Sequence, residues 1–580
     1  MSTQQKDWHE LISQPIHKIK AEENVGVTMR DGVRLMVDIF RPDAKGKFPA
    51  LLALSPYGKE IQKLLLPSQP IDRSALWDGG IEAGDTEYIV SRGYAHIIGD
   101  LRGTGDSEGE YVGLHSKKEG EDGYDLVEWI AQQPWCNGNV GMVGYSYFGE
   151  VQLHVALEQP PHLKAIYPTC VWADLYQIAY PGGIPNLFLY GLWDGRAGTS
   201  GFAPKNVVSA MMKNLPKEEF ERRLQDASNN PDVRKFPNVY HLLKYPYKNP
   251  LFVDLLLNPL NGPFYYQRSA YPKFDKIKIP VYSVGNWASA FNVFGQLSVY
   301  CGINSPKKLM MDPPGFVDRP WRQGLDIVIR WYDHWLKGID TGIMDEPPIK
   351  IFIMGTNQWH YEDEWPLSRT QWTKFYLRPW EGLSAEPEIY NDEPDCFVQQ
   401  PLYMSSKTQS LNYLSPPMHE DMEVIGPVAL YLFASIDTDD TNWIVELYDV
   451  DEHGEKQLLA RDHLKASHRA LDESKSKPWQ PYHPHTSSEP VVPGEVYQYA
   501  IEVVPIANVF RVGHRIKLEI KSMLSPRDPE MFIHFHPLLC SGKTTVHKIY
   551  RDKEHRSYLL LPVIPKKKGS ENRWEEKLPK

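Results

Sequence analysis

The sequence predicts an α/β domain with a mostly parallel sheet and helices on both faces, an inserted helical cap, and a C-terminal all-β jelly-roll or sandwich domain. Three observations predict this architecture. Short apolar runs alternate with helical periodicity before about residue 171 and again after about residue 271, as in parallel sheets covered on both faces. The intervening segment breaks that rhythm. After about residue 370, short alternating runs separated by turn residues take over.

The first elements are a hairpin followed by buried strands and helices. VGVTMR and VRLMVDIF flank Asp31-Gly32, and Asp-Gly between alternating apolar residues is a strong hairpin signal. FPALLAL and YAHIIGD predict buried strands, and GYDLVEWIAQQ predicts a helix with Leu126, Val127, Ile130 and Ala131 on one face. The helix EVQLHVALEQ and the strand LKAIYPTC come next.

The remaining segments complete the domain plan. EEFERRLQDA and VYHLLKY predict helices of the cap, among loops rich in Pro and Asn. The α/β pattern resumes with the strands IKIPVYSVG and KKLMM, the helices FNVFGQLSVY and LDIVIRWYDHWLKG, and the edge strand IKIFIMG. We therefore expect an α/β domain over 1–171 and 271–368, a cap over 172–270, and a jelly roll over 369–580. Its strands include WTKFYL, VALYLFAS, WIVELYDV, YQYAIEVV, HRIKLEIKS and SYLLLPV.

Composition limits the classes of partner. The chain has 580 residues, more than the roughly 250–300 that one core serves, so several domains are expected. Its formal net charge is −11, with acidic and basic residues mixed, which argues against nucleic acid or an anionic membrane as a partner. No window approaches the roughly 18 apolar residues of a membrane span, and the polar start MSTQQKDWHE does not resemble a secretory signal. A cytoplasmic location is therefore expected.

The cysteines show no paired spacing. There are five, an odd number, at positions Cys136, Cys170, Cys301, Cys396 and Cys540. We interpret them as reduced thiols in the core of a cytosolic protein, and neither a disulfide framework nor a metal site is predicted.

The stretch GMVGYSYFGE at 141–150 is the strongest local signal for chemistry. Ser146 lies between Gly144 and Gly149, after an apolar strand and before helix-forming residues. This pattern is typical of a nucleophile elbow, in which a serine on a strained strand-to-helix turn exposes its hydroxyl. Because a serine hydroxyl is a weak nucleophile, a base must accept its proton.

Several further segments resemble one family, that of the cocaine esterases, Xaa-Pro dipeptidyl-peptidases and α-amino acid ester hydrolases. The matching blocks run in order from about residue 25 to 565: RDGVRLMVDIFRP, FPALLALSPYGK, RGYAHIIGDLRGTGDSEGEY, WIAQQPWCNGNVGMVGYSYFG, RWYDHWLKGIDTG with IKIFIMG, VFRVGHRIKLEI and HRSYLLLPVIP. The resemblance implies an α/β-hydrolase fold with a helical cap and a C-terminal jelly roll. It also implies hydrolysis of an ester or amide of a small molecule through an acyl-serine intermediate, without a cofactor or metal. It is compatible with a homo-oligomer.

The resemblance also implies roles for three residues. Ser146 falls on the nucleophile, the backbone N–H of Tyr147 on one arm of the oxyanion hole, and the hydroxyl of Tyr57 on the other. Donors aimed at a developing oxyanion are each worth about 10²–10³ in rate in comparable sites.

The family pattern breaks at the acid and at the histidine. The position of the acid, in Gly285-Asn286-Trp287-Ala288-Ser289, holds Ser289, and the position of the histidine, in KKLMMDPPGFVD, holds Phe316 or a close neighbour. No histidine occurs between Pro272 and Asp333, the interval where the order Ser, Asp, His places the base.

Three residues remain as a substitute base or acid. His115 lies in a loop at the carboxyl edge of the predicted sheet, where α/β sites gather, and Asp312 and Asp318 lie in the loop where the base belongs. His154 is eight residues along a helix from Ser146, about 12 Å at 1.5 Å per residue, which is too far for proton transfer.

Three alternatives follow from the missing base. The first is a serine hydrolase with a non-standard base, in which Trp287, Ser289 and Phe316 line the substrate pocket. The second is a repurposed lyase, isomerase or cyclase of secondary metabolism that uses the same pocket without acylation, and the third is a ligand-binding pseudoenzyme. A serine hydrolase that loses a triad member retains only about 10³–10⁴ in rate over water.

Overall fold

The computed structural model describes residues 7–69, 80–186, 205–234, 237–287, 290–315, 317–401, 403–524 and 542–566. The described residues up to position 362 contribute ten strands to one sheet: β1 Ile19–Thr28, β2 Arg34–Pro42, β3 Phe48–Ser55, β4 Ala95–Asp100, β5 Cys136–Met142, β6 Leu163–Ile166, β7 Val281–Asn286, β8 Lys307–Asp312, β9 Ile349–Ile353 and β10 Gln358–Glu362.

The first sheet has the order β1-β2-β4-β3-β5-β6-β7-β8-β9-β10. The seven consecutive strands from β4 to β9 in this order run parallel to one another. The antiparallel hairpin β1–β2 extends one edge, and the antiparallel strand β10 extends the other. The mostly parallel sheet predicted from the apolar runs is therefore confirmed. The prediction that IKIFIMG closes this half is wrong, because QWHYE, whose aromatic and polar residues alternate, pairs outside it as β10.

Twelve helices lie in the described part of the first 340 residues: α1 Thr86–Ser91, α2 Lys117–Ala131, α3 Tyr147–Leu157, α4 Leu175–Ala179, α5 Ala210–Asn214, α6 Lys217–Asn229, α7 Pro231–Arg234, α8 Pro237–Leu242, α9 Pro250–Leu256, α10 Pro263–Arg268, α11 Ala290–Gly302 and α12 Leu325–Lys337. The predicted face of α2 is buried through Leu126, Val127 and Ile130 against one side of the sheet. Trp331 and Tyr332 of α12 are buried in the core on the other side.

The chain between β6 and β7 is helical where it is described, and α4 to α10 lie in it. Its buried residues, including Phe252 and Tyr265, belong to the same core as α2 and α3. The inserted helical segment thus packs on the side of the sheet that carries the elbow helix.

After residue 362, the described part of the chain forms an all-β domain with eleven strands: β11 Gln371–Arg378, β12 Gly382–Ser384, β13 Asp395–Gln399, β14 Ser410–Leu414, β15 Met422–Ile436, β16 Asn442–Val450, β17 Lys456–Lys465, β18 Tyr497–Phe510, β19 Arg515–Lys521, β20 Thr545–Tyr550 and β21 Tyr558–Ile564. They follow the order β13-β20-β15-β21-β11-β12-β14-β19-β16-β17, with β18 paired to β15. The first sheet ends at Glu362 and the second begins at Gln371, and the boundary expected at 368/369 lies between them.

The two domains share a hydrophobic core and backbone hydrogen bonds. Trp287 and Ile351 of the first domain are buried in one cluster with Ile506 and Phe510 of the second. Met354 donates its N–H to the carbonyl of Ala507 at 2.9 Å and accepts the N–H of Val509 at 2.9 Å. The β domain is therefore packed directly on the edge of the α/β sheet.

Two further predictions concern cysteines and membranes. Cys136 and Cys170 are buried, as expected for core thiols, but Cys301 and Cys396 are exposed, so the core assignment is wrong for these two. Cys540 lies outside the described residues. Among the residues that the structure describes, no helix has both the length and the apolar character needed to cross a bilayer.

Candidate active site

The carboxyl ends of the parallel strands bring the predicted site residues to one edge of the sheet. β3 ends two residues before Tyr57, β5 ends four residues before Ser146, and β8 ends at Asp312. In open α/β sheets, ligands bind outside this edge. The site is therefore built from loops that follow three parallel strands, the neighbours β3 and β5 and, separated from β5 by β6 and β7, β8.

Ser146 occupies a sharp turn between β5 and α3. Its backbone has φ 59° and ψ −118°, a conformation with positive φ that residues other than glycine rarely adopt. The Ser146 N–H donates to the carbonyl of Thr169 at 2.8 Å, and its own carbonyl accepts the N–H groups of Gly149 and Glu150. These bonds hold the strained residue in the geometry of a nucleophile elbow.

The two flanking glycines make this turn possible. Gly144 has φ 134°, and a Cβ placed there would lie 2.2 Å from the Cβ of Phe148. A Cβ on Gly149 would lie 2.7 Å from the carbonyl oxygen of Thr169. Both distances are far inside van der Waals contact. Glycine at 144 therefore leaves room for Phe148 of α3, and glycine at 149 lets α3 approach the segment that follows β6.

The side chain of Ser146 is half-buried just before the first residue of α3. No described residue forms a hydrogen bond with its hydroxyl. In particular, none of the described histidines contacts it as a base. Within the described part of the chain, the nucleophile position therefore lacks the imidazole partner of an ordinary triad.

Tyr57 lies beside the first turn of α3. Its ring makes edge-on contacts with the rings of Tyr147 and Phe148, at centroid distances of 5.8 Å and 6.2 Å. Tyr147 is the first residue of α3, and the first N–H groups of a helix have no acceptor within the helix. The structure therefore brings together Ser146, Tyr57 and the start of α3.

The side chain of Tyr147 fixes the start of α3 through buried hydrogen bonds. It is fully buried, and its hydroxyl is 2.6 Å from the hydroxyl of Tyr111 and donates to Glu119 at 2.9 Å. Burial raises the pKa of Glu119 to about 8. This network fixes the residue whose backbone N–H is the predicted oxyanion donor.

His115 is not at the Ser146 hydroxyl. It is fully buried, and its ring stacks on Tyr147 at 4.5 Å and on His154 at 5.1 Å between centroids. Neither of its ring nitrogens has a hydrogen-bond partner among the described residues. Burial lowers the pKa of His115 well below its ordinary value, so the imidazole is neutral at pH 7. The prediction of His115 as a substitute base is not supported by this placement, because aromatic packing holds the ring beneath the elbow helix.

Asp312 lines a cavity that borders the elbow. The cavity has a volume of about 330 Å³, and its wall includes Tyr145, Thr169, Asn286 and Asp312. Tyr145 precedes Ser146, and Thr169 accepts the Ser146 N–H. Burial raises the pKa of Asp312 to about 7, with Lys350 opposing the shift. Asp318 is half-buried in the same loop and is not part of this wall.

A buried ion pair holds the loop after β8 against the elbow strand. Arg319 donates to one carboxylate oxygen of Glu82 at 3.0 and 2.7 Å, and its guanidinium carbon lies 4.1 Å from the centre of the Tyr145 ring. The carbonyl of Glu82 accepts the N–H of Tyr145 at 3.0 Å. The cavity wall and the nucleophile are therefore positioned by one set of contacts.

The family profile of the X-Pro dipeptidyl-peptidases (S15 family) matches residues 31–316, and that of their C-terminal non-catalytic domain matches residues 341–560. Together they cover both domains described above. The chain belongs to the X-Pro dipeptidyl-peptidase (S15) family.

A curated relative and two solved structures match nearly the whole chain. The cocaine esterase of a Rhodococcus species is 27% identical over 603 residues, which span 93% of this chain and 98% of the relative. A CocE/NonD family hydrolase from Staphylococcus aureus has a TM-score of 0.76 at 23% identity, covering 94% of each chain. An α-amino acid ester hydrolase has a TM-score of 0.72 at 18% identity, covering 94% of this chain and 97% of that structure. The solved structures show that the chain has the α/β-hydrolase fold of this group.

The three residues predicted to line the substrate pocket are Trp287, Ser289 and Phe316. Trp287 is 6% exposed, belongs to the core shared with the β domain, and donates its indole N–H to the carbonyl of Phe352 at 2.9 Å. Its side chain therefore points away from the predicted pocket, which is a correction. Ser289 and Phe316 lie outside the described residues.

One residue of the elbow motif was not singled out from the sequence. Glu150 is 1% exposed, and one of its oxygens accepts the N–H groups of Trp172 and Ala173. Burial raises its pKa to about 8, although both hydrogen bonds act in the opposite direction. The signal in the sequence is a single acid in the mostly apolar helix YFGEVQLHVAL, all but one of whose residues are buried.

Proposed function

We propose that this member of the S15 family is a serine hydrolase that cleaves an ester or amide bond of a small molecule through an acyl-serine intermediate. The observation that carries the proposal is the strained turn at Ser146, with φ 59°, beside the ring of Tyr57. Strain at a residue other than glycine persists where the surrounding structure over-determines it, and such positions cluster at functional sites. The family match supports hydrolysis as the reaction class.

In this proposal, the oxygen of Ser146 attacks the carbonyl carbon of the substrate. The N–H of Tyr147 and the hydroxyl of Tyr57 stabilise the oxyanion that forms. The leaving alcohol or amine departs with a proton, and water then cleaves the acyl-serine to regenerate the hydroxyl. Two preorganised donors of this kind account for several kcal/mol of barrier reduction, about 2.7–4 kcal/mol for each.

Asp312 is proposed as the base. Asp312 is the last residue of β8. In an α/β hydrolase with the order Ser, Asp, His, the loop after the corresponding strand carries the catalytic histidine. With its pKa near 7, about half of Asp312 is ionised at neutral pH, which suits a group that must both accept and return a proton. The neighbouring cavity of about 330 Å³ is large enough for water to relay that proton from Ser146.

A fluorophosphonate probe tests the nucleophile. We expect labelling of the native protein that disappears in Ser146→Ala and persists in Ser474→Ala, which removes an exposed serine of the β domain. Mass spectrometry of the labelled peptide should locate the adduct at Ser146. An unlabelled native protein would refute the acyl-serine mechanism.

Hydrolysis of p-nitrophenyl esters of increasing acyl length tests the reaction class. We expect turnover that is lost in Ser146→Ala and much reduced in Tyr57→Phe. Among the described residues no imidazole forms a hydrogen bond with the Ser146 hydroxyl, and this favours non-hydrolytic chemistry as the second candidate. Turnover of a substrate that survives Ser146→Ala but falls in Tyr57→Phe would establish that candidate instead.

A further inference from the structure

A second cavity lies where the α/β domain, the cap and the β domain meet, and we call it the junction cavity. Its volume is about 360 Å³, within the range of small-molecule sites. None of the residues around it belongs to the elbow or to the cavity of Asp312. The residues that matter for its chemistry are Asp174, Tyr176, Asn261, Asp462, Trp479 and Glu502.

Three carboxyl groups face the junction cavity from three elements. Asp174 caps α4, Asp462 lies on β17 and Glu502 lies on β18. Asp174 is satisfied by the Tyr176 N–H at 2.9 Å and the Ser269 hydroxyl at 3.3 Å. The other two carboxyls therefore decide what the cavity attracts.

Asp462 is only partly satisfied. The residue is 8% exposed, one of its oxygens accepts the His463 N–H at 2.8 Å, and the other is buried without a partner among the described residues. The side-chain oxygen of Asn261, on the same wall, is also buried without such a partner. A buried acceptor without a partner is unfavourable by about 1–3 kcal/mol, so a ligand that donates hydrogen bonds would relieve both.

Burial favours the protonated forms of Asp462 and Glu502 in the junction cavity, and a cation bound beside them would favour their carboxylates, because a nearby positive charge lowers the pKa of an acid. Burial raises the pKa of Asp462 well above its ordinary value, the charge of Glu502 adds to this shift, and burial raises the pKa of Glu502 to about 7. Burial lowers the pKa of His463 to about 3 and that of His485 well below its ordinary value, so both are neutral. Lys477 is exposed at the rim, where its amine is 6.0 Å from the centre of the Trp479 ring.

Aromatic side chains supply the apolar part of the wall. Tyr176 is buried and lies 5.4 Å from the His485 ring, and Trp479 is held by stacking on Trp372 at 4.5 Å. Aromatic faces attract cations as well as apolar groups. No group of His, Cys, Asp and Glu among the described residues has the arrangement needed to hold a metal ion, which leaves an organic cation as the better fit.

We propose that the junction cavity is a second binding site, separate from Ser146, for a small primary ammonium with an aromatic or aliphatic body. The ammonium would donate to Asp462, Glu502 and Asn261, and its body would pack on Tyr176 and Trp479. Binding involves no covalent step and does not depend on the proposed acyl-serine chemistry.

Calorimetric titration of the full-length protein with benzylamine and with benzyl alcohol, its neutral counterpart, tests the proposal. We expect benzylamine to bind at least about tenfold more tightly, since hydrogen bonds to charged groups exceed neutral ones by this order. Equal binding of the two probes, or no heat of binding for benzylamine up to millimolar concentration, would overturn the proposal.

Variants locate the bound amine. Asp462→Asn keeps the acceptor for the His463 N–H and should weaken benzylamine binding by about tenfold or more, while Glu473→Gln, an exposed acid on a nearby loop, should not change it. Trp479→Ala at the rim provides a second variant if Asp462→Asn does not fold. Binding must persist in Ser146→Ala. Loss of binding there, or unchanged binding in the folded cavity variants, would contradict the assignment.

Discussion

Replacing Glu150 by Gln should change how the stability of this protein depends on pH. Glu150 is 1% exposed; one carboxyl oxygen accepts two backbone N–H groups, and the other is buried without a partner among the described residues. Burial raises its pKa to about 8 from the ordinary value of 4.5. Glutamine keeps the carbonyl acceptor and has no proton to lose, so it imitates the protonated acid.

The sign and size of the effect follow from the two pKa values. Between pH 4.5 and about 8, the native state keeps a proton that the unfolded chain releases. The free energy of unfolding therefore falls, from this group alone, by about 1.4 kcal/mol for each unit of rising pH. Below pH 4.5 both states are protonated and the penalty is absent. The free energy of unfolding of Glu150→Gln, relative to that of the native protein, should therefore increase by about 3 kcal/mol as the pH rises from 5.5 to 7.5.

Urea denaturation at pH 5.5, 6.5 and 7.5 measures this difference. The midpoint of Glu150→Gln should rise relative to the native protein as the pH increases, while Glu158→Gln, at the end of the same helix, should show no such trend. A difference that is constant over the three pH values would show that Glu150 is ionised in the native state. A variant that loses stability as the pH increases would refute the reasoning.

Three further substitutions test the site. Gly149→Ala places a Cβ 2.7 Å from the Thr169 carbonyl, so it should lower the free energy of unfolding by about 1–3 kcal/mol and remove most fluorophosphonate labelling. In Gly262→Ala the new Cβ meets nothing within 4 Å, so neither stability nor labelling should change. Tyr57→Phe should lower kcat for a p-nitrophenyl ester by about 10²–10³ with little change in KM, and an unchanged kcat would remove Tyr57 from the oxyanion hole. The kcat/KM of the native enzyme should rise with pH through about 7 as Asp312 ionises, and Asp312→Asn should abolish that rise and lower the rate by about 10²–10⁴. A rise that persists in Asp312→Asn would assign the titration to another group.

The sequence predicted the parts of the fold whose physics is local. Apolar runs buried on both faces predicted the parallel strands, and the spacing of Gly144, Ser146 and Gly149 predicted the turn between β5 and α3. The burial of His115 was not predictable in this way, because it depends on Tyr147 and His154, which reach the ring only through tertiary packing.

The direction of side chains at the sheet edge was also beyond the sequence. Trp287 follows β7 immediately, and its position in the chain suggested the pocket. Its indole instead turns to the carbonyl of Phe352, because the neighbouring β domain provides a larger apolar surface there. The role of Asp312 depends on the cavity around it, which no local pattern encodes.

The core shared between the two sheets means that neither half is an independent folding unit. Cutting the chain near residue 368 would uncover Trp287 and Ile351 on one fragment and Ile506 and Phe510 on the other. Each fragment would then expose an apolar surface that promotes aggregation. The β domain therefore supports the α/β sheet laterally, through buried side chains that belong to a single core with it.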